Sequence, residues 1–190
     1  MHVPAIHSER LDLVSLSAEV VEALLEGRLS EGEALLSVPL PEGWPDADVK
    51  PFLRLRLEQM RRDTGAQRWL VRALVRRSDG TMVGHAGFHG PPGTGGLDPG
   101  KAELGYTVLP AFRGQGFASE AGLALMDWAE GEGVHRFVAS VGPWNAPSLA
   151  IVRKLGFVQT GEQRDEEDGL ELVFELDRSP DLLAPAATQE

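Results

Sequence analysis

The stretch "LPAFRGQGFASEAGLALMDWA", residues 109–129, sets Arg113, Gly114, Gln115 and Gly116 where a helix is about to begin. A Ser or Asp cap would start that helix with less conformational freedom to lose. Glycine instead lets the backbone come close to another group. A turn from a strand into a helix presents several unpaired N–H groups, and the helix dipole adds partial positive charge there. Arg113 adds a full charge. The physical reading is an anion site suited to phosphate, against the plainer reading of a glycine turn that holds nothing.

The flanking sequence supplies the strand and helix that this reading needs. "KAELGYTVL", 101–109, reads as a strand that Pro110 ends, and the helix runs from about Gln115 to Ala129, stopped by Gly131 and Gly133. Upstream, residues 8–16 read as a first strand, and Ser17 caps a helix from Ala18 to about Arg28. Ser30 is placed to cap a second short helix, and Asp46 or Asp48 opens a longer one ending near Arg62. Residues 67–76 and 81–90 read as a hairpin, and 90–100 as a loop without regular structure. Downstream come a strand at 136–141, a short helix at 147–155 with Gly156 behind it, and a closing hairpin across the acidic turn "RDEEDG". The expected fold class is mixed α/β in a single domain, residues 1–178, with 179–190 a loose tail.

Composition narrows the function classes. The 190-residue chain has 18 Lys and Arg against 29 Asp and Glu, a net charge of −11, which argues against general nucleic-acid binding. It has no cysteine, so disulfides, thiolate metal sites and a cysteine nucleophile are excluded. The N-terminus shows no signal-peptide pattern and no apolar run reaches membrane-spanning length. A cytoplasmic protein without membrane attachment is the expectation.

The anion turn can be tested against known phosphate sites. No GxxxxGK[ST] run exists. A dinucleotide GxGxxG fails because its last position is Ser119 and the next strand ends at Val141–Gly142 without a carboxylate. What remains is RxxGxA, formed by Arg113, Gly116 and Ala118. This resembles the [QR]xxGx[GA] signature of the GNAT superfamily of N-acetyltransferases. "WNAPSLAIVRKLGF", 144–157, is similar to that family's NxxSxxxxxKxGF region. "SERLDL", 8–13, and "AELGYTV", 102–108, resemble the branch of Rim-type ribosomal-protein N-terminal acetyltransferases. The resemblance covers residues 8 to about 178.

The resemblance implies the GNAT fold: about seven mostly antiparallel strands, a central parallel splayed pair, and four to five helices. It implies acetyl-CoA as acyl donor and direct attack by a primary amine, either a protein N-terminus or a small molecule. The lack of cysteine independently excludes an acyl-cysteine intermediate. A non-catalytic acetyl-CoA sensor and a transferase of another acyl group remain alternatives. Backbone groups of Val108 and Leu109 would hold the pantetheine arm, with the Leu109 N–H as oxyanion donor. Arg113, Gly114, Gln115, Gly116, Phe117 and Ala118 would wrap the pyrophosphate, with Ser119 adding a hydroxyl. Asn145 matches the family's pantetheine-contacting asparagine, although a helix N-cap is an equally ordinary use for it. Ser148 stands where a hydroxyl can orient or protonate the leaving sulfur, and Lys154 reads as a helix-surface residue, with a place near the cofactor's 3′-phosphate as the alternative. Homodimers are common in the family.

Glu103, the carboxylate within the 101–109 strand, is the candidate general base, directly or through water; a surface glutamate is the alternative. Trp44, Phe88, His89 and Trp144 are candidates to line the acceptor pocket, with core packing as the alternative for the aromatics. His85 and His89 do not suit a metal: on one strand face they lie about 13 Å apart, too far for two zinc ligands bonded at about 2.0–2.1 Å. The run Asp165, Glu166, Glu167, Asp168 reads as a solvated turn, or as an attractor for a cationic amine.

Overall fold

The computed structural model describes residues 3–165 and 169–180. Eight strands form one sheet in the order β1-β2-β3-β4-β5-β6-β8-β7. They are β1 (Ile6–His7), β2 (Leu11–Ser15), β3 (Arg72–Arg76), β4 (Thr81–Phe88), β5 (Lys101–Val108), β6 (Arg136–Val141), β7 (Val158–Asp165) and β8 (Gly169–Asp177). The helices are α1 (Ala18–Leu25), α2 (Leu29–Leu36), α3 (Val49–Arg62), α4 (Phe117–Gly131) and α5 (Ala146–Lys154). Neighbouring strands run antiparallel except β5 and β6. The mixed α/β class and the parallel central pair are as the resemblance implied. No helix among the described residues is long and apolar enough to cross a membrane.

The sheet buries both faces. Leu74, Val83, Phe88, Ala102, Leu104 and Phe137 pack on the apolar stripe of α4, including Ala121, Leu125 and Met126. The opposite face packs Leu70, Val71, Ala73 and Met82 against Val20, Leu24, Leu53, Leu57 and Met60 of α1 and α3. The period-2 alternation of the central strands therefore sends odd and even positions into different compartments. β5 is the important case: Ala102 and Leu104 are buried on the α4 side, while Glu103, Gly105 and Thr107 face the α3 side.

Several boundaries differ from the sequence reading. The single strand expected over 8–16 is two, because Ser8 N–H donates to the Leu11 carbonyl and turns the chain between β1 and β2. This raises the strand count from about seven to eight. Residues 67–71 do not join the hairpin. Asp63 caps Gly65 N–H at 2.8 Å, and a 3₁₀ turn holds Thr64–Arg68. Ser30 lies inside α2 and caps nothing. Asp46 rather than Asp48 opens α3: its Oδ1 accepts from the N–H groups of Asp48 and Val49 at 3.0 and 2.9 Å. The expected loop at 90–100 contains a short 3₁₀ turn, Thr94–Gly96. α4 begins at Phe117, so Gly114–Gly116 stay outside it. The expected tail falls largely outside the described residues, as do 166–168 of the acidic run.

Gly87 of β4 shows how tightly the sheet is closed on the α3 side. A Cβ there would meet the Leu70 carbonyl oxygen at 2.4 Å and its carbon at 2.7 Å. Gly131, at the end of α4, has open space around its Cβ position and no positive φ. Gly87→Ala is expected to destabilise the fold by about 2–4 kcal/mol through overpacking. Gly131→Ala should be neutral or stabilise by up to about 1 kcal/mol. Urea unfolding of the two variants checks both signs.

Candidate active site

β5 and β6 pair only through Lys101↔Arg136, Ala102↔Phe137 and Glu103↔Val138, and then separate. From there β6 continues along β8, while β5 continues along β4. In an antiparallel pair, backbone groups alternate between facing the partner and facing away. His89 N–H donates to the Glu103 carbonyl at 2.8 Å, and Leu109 N–H donates to the Val83 carbonyl at 2.9 Å. Odd positions of β5 thus face β4. Tyr106 and Val108 turn their N–H and C=O groups into the gap that β6 has left. The Leu109 N–H expected as oxyanion donor is engaged in the sheet. The N–H groups of Tyr106 and Val108, and not that of Leu109, face the gap.

Two clefts meet across this gap. One, of about 560 Å³, lies on the α3 side and includes Asp46, Phe52, Arg56, His85, His89 and Gly105 in its lining. The other, of about 780 Å³, lies beside the α4 turn and α5 and includes Phe112, Gly114, Gly116, Ser119, Ile151 and Lys154. Tyr106, Val108, Arg113, Trp144, Asn145 and Ser148 border both.

One end of the second cleft is formed by the glycine turn at the start of α4. Gly114 and Gly116 adopt φ of 76° and 83°, which a side chain would resist. Nothing stands within 4 Å of a Cβ at Gly114, so the demand there is conformational. Gly116 is the N-cap of α4 and offers no side-chain cap; the first helical bond runs from Glu120 N–H to the Gly116 carbonyl. The N–H groups of Phe117, Ala118 and Ser119 precede that ladder, at the positive end of the helix dipole. Arg113 reaches back, its Nε donating to the Val108 carbonyl at 3.0 Å. The turn is held from outside by Arg10 and Ser8. Arg10 Nε, the Arg10 backbone N–H and Ser8 Oγ each donate to Glu120 at 2.7 Å. Arg10 Nη1 also donates to the Gln115 carbonyl at 3.1 Å, and its guanidinium lies 4.7 Å from the Phe117 ring centre. Backbone donors, two basic side chains and an apolar channel along α5 suit a pyrophosphate with a flexible arm.

The first cleft has a polar floor. Ser140 Oγ donates to Glu103 Oε1 at 2.7 Å, and Gln163 Nε2 donates to Ser140 Oγ at 3.2 Å and to Glu171 Oε2 at 3.1 Å. His89 Nδ1 lies 3.3 Å from Glu103 Oε2. Burial pushes the Glu103 carboxyl up, but His89, Ser140 and nearby Arg56 outweigh it and hold it below the usual range. Burial pushes Arg56 down to about 10 and His85 down to about 4, so at neutral pH Arg56 is charged and His85 is not. Burial raises the Tyr106 phenol, against a hydrogen bond to the Ser148 carbonyl at 3.4 Å. At neutral pH Tyr106 keeps its proton.

The four residues expected in an acceptor pocket all border the α3-side cleft, two of them exposed and two buried. Trp144 is 75% exposed, with its ring lying against Gly142, and His89 stands at the cleft wall. Trp44 is buried in the cleft wall, 6.3 Å from the His85 ring. Phe88 borders the same cleft from within the core: it is 1% exposed and stacks on Phe137 at 6.2 Å. It pairs with Leu104, whose side chain faces α4. Asn145 caps α5, its Oδ1 accepting from Ser148 N–H at 3.2 Å, which leaves its amide N–H₂ toward the clefts. Tyr106, Ser140, Gln163 and Arg56 were missed as site residues. Only Tyr106 carried a signal: strand alternation sets it on the face opposite Glu103.

The chain matches the model of the acetyltransferase (GNAT) domain over residues 10–158, more than half its length. It belongs to the GNAT acetyltransferase family. Over 119 residues it is 29% identical to the uncharacterized N-acetyltransferase YjdG of Bacillus subtilis, covering 60% of this chain and 67% of that one. The structure of a ribosomal-protein-S5-alanine acetyltransferase from Vibrio fischeri aligns with a TM-score of 0.62 at 16% identity, covering 93% of this chain and 97% of that one. The microcin C7 self-immunity acetyltransferase MccE, solved with acetyl-CoA and AMP, aligns with a TM-score of 0.60 at 17% identity, covering 89% and 93%. At these identities the structural likeness is one of fold.

The Glu120 anchor has a pH signature. Burial favours protonation, but the bonds from Ser8 and Arg10 outweigh it and lower the Glu120 pKa. A lowered carboxylate contributes stability above its unfolded pKa of about 4.3, and that contribution is lost as pH falls through the folded value. Glu120→Gln is expected to cost about 2 kcal/mol at pH 7. The difference from wild type should shrink on acidification below about pH 4, read by denaturant unfolding at several pH values.

Proposed function

We propose that this acetyltransferase carries the acetyl group of acetyl-CoA to a primary amine by direct attack, with the donor in the α4–α5 cleft and the acceptor in the α3-side cleft. The observation that carries the reading is the splay of β5 from β6, where the clefts meet at two outward-facing backbone N–H groups. The N–H row of 114–119, with Arg113, cradles the pyrophosphate, and Lys154 at the same rim meets the 3′-phosphate. Tyr106 and Val108 pair with the pantetheine arm where β6 is missing, and one of their N–H groups stabilises charge on the thioester oxygen. MccE, of the same fold, holds acetyl-CoA, which supports the donor assignment.

Acetyl-CoA supplies the activated acyl group; the protein's part is to align, desolvate and move protons. Asn145 and Ser148 at the start of α5 border both clefts, so the departing sulfur lies within their reach. The neutral Tyr106 phenol stands beside them. Ser148 then orients the sulfur rather than serving as a strong acid, since an unperturbed hydroxyl is a poor one. On the acceptor side, Asp46, Asp48 and Glu171 line the cleft with Glu103 behind His89 and Ser140, against Arg56 and Arg113, which favours an amine arriving as a cation. The exposed Trp144 ring offers a flat surface to the group bearing that amine. A protein N-terminus, as in the Rim-type branch, fits an open cleft of this kind.

Calorimetry should show acetyl-CoA binding, and Gly116→Pro, which cannot adopt positive φ, should abolish it. Product detection by mass spectrometry across peptides beginning with Ser or Ala, spermidine and an aminoglycoside should find one acetylated class. Initial rates should give intersecting, not parallel, double-reciprocal lines, because both substrates are bound together. Acetyl-CoA binding without transfer to any amine would replace this reading with a sensor.

A further inference from the structure

The α3-side cleft contains an imidazole–carboxylate pair that the alignment of donor and acceptor leaves without a task. His89 directly follows β4 and pairs with Glu103 across the β4–β5 ladder, with its N–H on the Glu103 carbonyl. The side chains therefore lie on the same face. Nδ1 points to the Glu103 carboxylate at 3.3 Å. The other ring nitrogen has a different neighbour. A Cβ built on Gly105 would meet His89 Nε2 at 2.7 Å, so the ring leans along β5 over Gly105. Gly105 is also the residue before Tyr106, whose N–H enters the splay. Among the described residues the recorded polar neighbour of the ring is Glu103, on the Nδ1 side, and the side chain is 46% exposed in the cleft. The His89 backbone is fixed as well: Arg56 Nη1 and Gln59 Nε2 both donate to its carbonyl at 2.8 Å.

Glu103 is badly suited to take an amine's proton. Its carboxylate already accepts from Ser140 and has His89 Nδ1 at 3.3 Å, and it sits three residues along the strand from Tyr106. A carboxylate paired with Nδ1–H leaves Nε2 as the lone-pair nitrogen of a neutral ring. We infer that His89 Nε2 is the base that deprotonates the acceptor ammonium, and that Glu103 is a positioning residue that fixes the His89 tautomer. The inference rests on the acetyl-transfer reading above. The first proton leaves the ammonium for His89 Nε2. The neutral nitrogen then gives its lone pair to the acetyl carbonyl carbon, and a carbon–nitrogen bond forms. The carbon–sulfur bond breaks with its electron pair on sulfur, and the second nitrogen proton ends on that sulfur. His89 returns its proton to solvent through the exposed cleft. Gly105 is required here because any side chain would displace the ring from above the strand.

Glu103 and Arg56 touch His89, and Asp46, Asp48, His85, Tyr106, Arg113 and Glu171 share its cleft. The test compares wild type, His89→Gln and Glu103→Gln. With the panel amine that turns over fastest, His89→Gln should lower kcat/KM by about 10²–10³-fold at pH 7. The deficit should shrink at high pH, where the amine loses its proton unaided, and acetyl-CoA affinity should be unchanged. Glu103→Gln should produce a smaller loss with a displaced acid limb. Retention of kcat/KM within about threefold in His89→Gln, or a deficit independent of pH, would overturn the inference. A second readout needs no acceptor: ring ¹⁵N NMR of the ligand-free protein, with His89 assigned from the His89→Gln spectrum. The neutral ring should carry its proton on Nδ1 in wild type and lose that preference in Glu103→Gln. An Nε2-protonated ring in wild type would refute the base role. Wild-type protein that binds acetyl-CoA yet acetylates no amine instead removes the transfer reading, and the tautomer result then decides the His89–Glu103 geometry separately.

Discussion

β5 and β6 share three residue pairs and then part, and nearly every functional feature depends on that separation. A fully zipped parallel pair would consume the N–H and C=O groups of Tyr106 and Val108 in the ladder. Unzipped, they are oriented polar groups at the meeting of two clefts, with no backbone partner across the gap. Such groups carry a desolvation cost if left buried and dry, so the opening is stable because it stays wet or accepts a ligand of matching polarity. The Ser140–Glu103 hydrogen bond crosses the vertex of the splay and fixes where unzipping starts.

Glycines shape both sides of that opening for different reasons. At Gly114 and Gly116 the need is left-handed backbone, which points successive N–H groups to one place. At Gly105 the need is space for the His89 ring. The turn is then clamped from a distance: Glu120 gathers Ser8 and Arg10 from the first hairpin, which ties it to the far edge of the sheet. The short "SERLDL" segment thus bears on the site without lining it.

Local signals were legible where local physics decides. The Arg113–Ala118 turn, the α4 and α5 positions, and the β6 boundaries follow from glycine, proline and apolar period. Asn145 and Ser148 were also placed correctly at the head of α5, since a cap and its partner lie three residues apart. The reading faltered where the outcome depends on which face a strand position takes. Phe88 borders the cleft, yet its pairing with Leu104 sends its ring into the α4 core rather than into the opening. Leu109 looked like an oxyanion donor because it ends the strand, yet one residue of register gives its N–H to Val83. Strand alternation has period two, so an error of one position exchanges sheet-facing for gap-facing groups.

By itself the sequence determined a glycine turn between a strand and a helix, in a mixed α/β domain of the GNAT type, and it did so through residues close together in the chain. Tertiary structure alone decided which backbone groups face the gap, that Tyr106 comes to Ser148 across 42 positions, and that His89 leans on Glu103 and Gly105. The physical reason is range. Caps, glycine φ preferences and helical period act within a few residues, whereas the site is assembled from long-range register between β4, β5, β6 and α5, which only the packed sheet specifies.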